Sequence, residues 1–84
     1  MTRTQLRDVI LHLLHEVAPQ IPLQSVPPDA SLCDALGLDS LDFLTFLVAV
    51  HETLRIDVPV DEYSELATLR GCIDYLTRAH ERRT

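Results

Sequence analysis

The stretch Leu36-Gly37-Leu38-Asp39-Ser40-Leu41-Asp42-Phe43-Leu44 decides how the chain is read. Upstream, Pro19, Pro22, Pro27 and Pro28 prevent residues 19–39 from forming one regular element. Downstream, neither Gly nor Pro interrupts the chain from Ser40 to Leu54. Gly37 suits a left-handed exit from a helical turn over Ser31-Leu32-Cys33-Asp34-Ala35-Leu36, which Leu32 and Leu36 would pin. Asp39 and Ser40 are both capping residue types, and Asp42 adds negative charge to the first turn that follows. The stretch is therefore a stop followed by a start, with a hydroxyl at the seam.

Working outward, helical spacing recurs on both sides. Leu6, Val9, Ile10, Leu13, Leu14 and Val17 predict a helix over 4–18, with Thr4 as N-cap and Pro19 ending it. The long helix over 40–54 carries two apolar stripes. Phe43, Phe46, Leu47, Val50 and Leu54 are assigned to the core, and Leu41, Leu44 and Val48 lie on a neighbouring, partly exposed face. Ile56-Asp57-Val58-Pro59-Val60 alternates like a strand but reads as an extended connector. A short acidic helix over 61–66 follows, then a last helix over 68–79 with Thr68 as cap and Leu69, Cys72, Ile73 and Leu76 at core spacing. Gly71 weakens that helix and points to close packing. The tail His80-Glu81-Arg82-Arg83-Thr84 is expected to fray. The fold class is all-α: a single four-helix bundle over 1–84, three longer helices and one short, with a long loop between the first two.

The 84 residues make one small domain, in which 15 leucines and only two Phe, two Tyr and no Trp must fill the core. Such a chain has no room for a large catalytic cavity of its own. Net charge is −6, unevenly distributed. Residues 29–66 hold nine acids and one cation, Arg55, whereas residues 67–84 carry four Arg against two acids. A belt of that sign repels phosphate backbones and anionic membranes, so neither nucleic acid nor a membrane surface is an expected partner. A basic protein surface is. Cys33 and Cys72 make no disulfide framework, and no segment reads as a signal peptide or membrane span. The reading is a discrete, cytoplasmic protein with reduced thiols, expected to be a monomer.

Chemistry narrows to Ser40. At a helix start, free backbone N–H groups and the positive dipole end favour a phosphate ester on its hydroxyl, although capping alone also accounts for a serine there. Ser40 and His51 form no nucleophile–base pair, because eleven residues of helix separate them by ~16 Å. Asp42 replaces the second Gly of a Gly-x-Ser-x-Gly elbow. His12 and His15 lack companions for a metal, and Cys33 and Cys72 lack CxxC spacing and read as small buried residues. No catalytic residue and no metal site is assigned.

Three strings then acquire a common meaning. Asp29-Ala30-Ser31-Leu32, Leu36-Gly37-Leu38-Asp39-Ser40-Leu41-Asp42, and Ile56-Asp57-Val58-Pro59 before a short acidic helix together resemble the acyl carrier proteins. The resemblance runs from the first helix to Leu76. It implies a carrier, not an enzyme, with 4′-phosphopantetheine attached to Ser40 and acyl groups held as thioesters on the arm's thiol. It implies that Asp39 helps a Mg²⁺-dependent phosphopantetheinyl transferase, using coenzyme A, to recognise the serine, while Gly37 and Leu38 shape the loop presenting it. The loaded arm would be served by an acyl or aminoacyl ligase or an acyltransferase, and by downstream synthase enzymes of a fatty acid, polyketide or specialised pathway. Leu41, Leu44 and Val48, rimmed by Asp39, Asp42 and Glu52, form the expected partner face. Thr45 and His51 stand where the fatty-acid members are commonly acidic, and Phe43 where a small residue is common, which implies a narrower interior for an acyl chain. The alternatives are an aminoacyl or peptidyl carrier and a helical interaction module without a prosthetic group.

Overall fold

The structure, a computed structural model, describes residues 1–83. Four α-helices carry the fold: α1 (Arg3–Val17), α2 (Leu32–Leu36), α3 (Ser40–Leu54) and α4 (Leu69–Arg83). Two 3-10 helices, Leu23–Ser25 and Val60–Leu66, punctuate the connections. Among the described residues there is no strand, only one isolated bridge between Ser31 and Thr68. The all-α bundle with a long first loop is therefore the observed architecture. No helix among the described residues is long and apolar enough to cross a membrane.

Several boundaries differ from those read in the sequence. The cap of α1 is Thr2, not Thr4. The Gln5 N–H donates to Thr2 Oγ1 at 3.1 Å, and the Thr2 N–H donates to Gln5 Oε1 at 2.8 Å. This reciprocal pair satisfies two N–H groups that a helix start otherwise leaves open, so α1 begins at Arg3 and ends one residue earlier than expected. The expected tail is helical through Arg83, because buried Ala79 and half-buried His80 tie the last turns to the body. Thr84 lies outside the described residues. The acidic segment over 61–66 is a 3-10 helix starting at Val60.

The core is apolar throughout, and no polar or charged residue among those described is buried. Phe46, Leu6, Ile10, Leu14, Leu32, Leu66, Leu76, Val50 and Cys72 are essentially without solvent contact. α1 packs on both α3 and α4, and the 3-10 helix Val60–Leu66 packs on α4. Burying a leucine contributes about 1.5–3 kcal/mol, so fully buried Leu32 and nearly buried Leu36 hold the proline-rich loop inward. Backbone bonds hold it again. The Leu32 N–H donates to Ala67 O at 2.8 Å, and the Arg70 N–H donates to Pro28 O at 2.9 Å. The loop is thereby attached to the start of α4, and its end is fixed in place for α3.

The 3-10 helix is fixed to α4 in turn. Tyr75 is buried, and its hydroxyl donates to Glu62 Oε2 at 2.5 Å. Burial first, then this bond and the nearby carboxylate, push the phenol up to about 12. Arg78 adds an ion pair to Glu65 at 3.8 Å. The backbones meet at Gly71, where a Cβ would stand 2.4 Å from the Glu65 carbonyl oxygen. Gly71 is needed for this approach, while Thr68 caps α4 by accepting the Gly71 N–H at 3.0 Å. Gly71→Ala must push the backbones apart and should cost about 1–3 kcal/mol. Gly37→Ala meets no atom within 4 Å and costs only roughly 1 kcal/mol of left-handed strain. Thermal unfolding should rank Gly71→Ala clearly below Gly37→Ala; equal melting temperatures would contradict this packing.

Candidate functional site: the head of the third helix

The site is assembled by ending one helix and starting the next within four residues. α2 is capped at its start by Ser31, whose Oγ accepts the Asp34 N–H at 3.4 Å. It ends at Gly37, in the left-handed region at φ 67° and ψ 32°. The Leu38 N–H then donates back to Cys33 O at 2.9 Å, a closure that turns the chain sharply. Leu38 is buried, so the residue after the turn is an anchor. Asp39 emerges extended and caps α3: its Oδ1 accepts the Asp42 N–H at 2.8 Å, and Asp42 Oδ2 accepts the Asp39 N–H at 3.4 Å. Two acids thus cap each other's backbone, a role for Asp42 more specific than the first-turn charge read in the sequence.

Ser40 is the first residue of α3 and is exposed. Asp39, not Ser40, supplies the cap, which leaves the serine hydroxyl without a capping duty. The Ser40 and Leu41 amides have no acceptor within the helix, because the first turn of any α-helix lacks one. Ser40 also lies at the edge of a largely apolar groove of about 470 Å³ lined by Ser31, Cys33, Phe43, Leu44, Tyr63, Ser64 and Ala67. Phe43 is only half-buried, not a full core residue. Its ring meets Tyr63 edge-on, with centroids 6.4 Å apart at 79°, and so occupies part of that groove. Cys33 is likewise half-buried, unlike fully buried Cys72, and neither is in a disulfide. Burial first, then the neighbouring Asp34 and Asp39, push the Cys33 thiol up.

The outer face of α3 continues from Ser40. Leu41, Leu44 and Val48 are 71%, 42% and 56% exposed, an apolar stripe that the other described elements leave largely open. Asp39 is exposed and Asp42 half-exposed at its upper end. Glu52 turns to the side facing α1, where it lines a groove with Asp8, His12 and Glu16. Thr45 sits on the same outer surface, its hydroxyl donating to Leu41 O at 3.0 Å. The structure thus brings Gly37, Leu38, Asp39, Ser40, Leu41 and Asp42 together at one corner, sets Leu44 and Val48 one and two turns below, and puts Glu52 at the flank. Two features here were not read from the sequence. Cys33 and Tyr63 share the groove with Ser40, and Arg55 caps the far end of α3 in the left-handed region at φ 60°. His12 pairs with Glu16 at 3.2 Å, and no group among the described residues is arranged to hold a metal.

Residues 5–76 match the family model described as "Phosphopantetheine attachment site". The chain is 30% identical over 79 residues to an acyl carrier protein of Acidothermus cellulolyticus, spanning 94% of this chain and 93% of that one. It is 33% identical over 75 residues to an acyl carrier protein of Streptomyces coelicolor, spanning 89% of this chain and 82% of that one. The match covers every element that builds the corner at Ser40, with most of α1 before it and half of α4 after it. The chain belongs to the acyl carrier protein family, which are carriers and not enzymes, and whose prosthetic group is 4′-phosphopantetheine.

Proposed function

We propose that Ser40 is the attachment point of the 4′-phosphopantetheine arm, and that the chain shuttles acyl intermediates between biosynthetic enzymes. What carries this reading is the position of Ser40: exposed, first in α3, relieved of capping by Asp39, and at the edge of an apolar groove. When bound, the arm supplies a thiol that holds the acyl group as a thioester. The protein's own residues do the rest. Gly37 and Leu38 turn and anchor the chain so that Ser40 projects from the bundle. The open first-turn amides and the dipole of α3 favour the negative phosphodiester at that end. Asp39 and Asp42 keep the turn wound and give the transferase a negative landmark beside the hydroxyl.

Leu41, Leu44 and Val48 would meet the transferase, the loading ligase or acyltransferase, and the downstream synthase enzymes. An apolar stripe left open in a small domain, with acids at its upper end and Glu52 at its flank, suits a groove that is apolar in the middle and basic at the rim. A cytoplasmic location accords with the two free thiols. Acyl cargo of a fatty acid, polyketide or specialised pathway is favoured over aminoacyl cargo by Asp39 standing before Ser40.

Incubation with a promiscuous phosphopantetheinyl transferase and coenzyme A should add one phosphopantetheinyl group to the intact mass. Ser40→Ala should abolish the gain without lowering the melting temperature, since Ser40 makes no capping bond. No gain in the wild type would leave a helical interaction module, and a gain that persists in Ser40→Ala would move the arm elsewhere. Charge reversal at Asp42 should slow modification several-fold more at low salt than at high salt, because exposed charges steer only where they are unscreened. Equal slowing at both would mean that Asp42 acts through the first turn alone.

A further inference from the structure

Arg55 stands out on three counts. It is the sole cation of residues 29–66, against nine acids. It is the only non-glycine residue with positive φ among those described, at a helix end where glycine or asparagine is the unstrained choice. Its guanidinium is exposed and makes no ion pair among the described residues, although Glu52 and Asp57 lie three residues before and two after it. The positive charge suits a helix C-terminus, but the left-handed backbone there favours glycine or asparagine, and no ion pair among the described residues holds the side chain.

Its position gives it a use. Leu44, Val48 and His51 follow one another at i, i+4 and i+7 on the outer face of α3, all exposed, and Arg55 comes one turn further at the cap. The face therefore changes character along its length. Asp39 and Asp42 mark the Ser40 end, and the foot is marked by His51 and then Arg55, about 16 and about 22 Å from Ser40 along the helix. Beside the foot runs a shallow groove of about 210 Å³, with Leu44, Val48 and Val58 in its lining and His51 and Asp57 in its walls. Asp57 makes the foot mixed in charge, whereas the head is uniformly acidic.

We infer that Arg55 is a charge-selective docking element: it receives a carboxylate of the partner protein and disfavours partners whose groove is basic along its full length. The fitting partner is a protein surface with an apolar centre, a basic group opposite Asp39 and Asp42, and an acidic group opposite Arg55. This deepens the docking role proposed for α3 and rests on it. Selection of this kind works by a mismatch penalty as much as by attraction, since like charges brought together at an interface oppose binding.

The probe is a phosphopantetheinyl transferase with a uniformly basic docking groove, titrated without coenzyme A against the dye-labelled chain, so that docking is read apart from modification. Arg55→Glu should tighten the Kd by roughly two- to fivefold at low salt, the gain vanishing at about 0.5 M salt. Arg55→Asn, which removes the charge and tolerates the left-handed region, should bind with intermediate affinity and melt no lower than the wild type. Glutamate substituted singly through the groove's basic positions should yield one transferase that prefers the wild-type chain to Arg55→Glu. Identical or weaker binding of Arg55→Glu, absence of such a reversal, or no binding by any variant would overturn the inference. Loading of Ser40, scored separately by mass, decides the attachment reading whatever the docking result.

Discussion

Two carboxylates bonding each other's backbone amides hold the first turn of α3, and the functional corner depends on them. Without the Asp39–Asp42 pair the amides of Asp39, Ser40, Leu41 and Asp42 would all lack a partner in the helix, at the end where fraying is cheapest. With it, the helix is wound from its first residue, and that residue is Ser40. A serine that itself served as cap would have its hydroxyl turned back to the backbone. Giving the cap to the preceding aspartate frees the hydroxyl and sets negative charge beside it. Loss of an aspartate cap costs typically ~1 kcal/mol, a noticeable fraction of the stability of so small a domain.

The rest of the bundle holds that corner in place. Leu32, Leu36 and Leu38 are buried at successive points of the approach, so the chain reaches Asp39 along a path fixed by packing. The bonds from Leu32 to Ala67 and from Arg70 to Pro28 attach the same path to α4. On the other side, Gly71, Tyr75 and Arg78 secure the 3-10 helix to α4, while its contact with α3 runs through Tyr63 and Phe43. The groove beside Ser40 therefore has one firmly supported wall and one formed by aromatic edges. The face of α3 that remains open is the one that carries no structural duty.

What could be read from the sequence was what is local. Gly37 as a left-handed exit, Ser31 at the start of a helical turn, Asp39 at a cap and the uninterrupted run to Leu54 are all decided within a few residues, and all stand in the structure. The split of α3 into an inner and an outer stripe follows from helical spacing alone. The apolar spacing points to Thr4 as the cap, yet Thr2 with Gln5 three residues on carries the mark of a capping box. α4 runs past residue 79, where the local spacing ends it, because burial of Ala79 is decided by partners far away in the chain. The bridge from Ser31 to Thr68 and the bond from Tyr75 to Glu62 have no local signature either. Apolar character places Phe43 and Cys33 in the interior, whereas each sits half-buried at the groove margin. Arg55 in the left-handed region could not be foreseen, since no Gly or Asn marks the place.

Amide hydrogen exchange across the first turn of α3 tests the central claim most directly. In the wild type the Asp42 amide, bonded to Asp39, should exchange much more slowly than the Ser40 and Leu41 amides, which have no acceptor in the helix. Asp39→Ala should speed exchange at Asp42 by about fivefold, the value that corresponds to losing one cap of ~1 kcal/mol, whereas Asp39→Asn should largely keep it. An Asp42 amide that exchanges equally slowly in Asp39→Ala would show that the turn presenting Ser40 is held by something other than the two carboxylates.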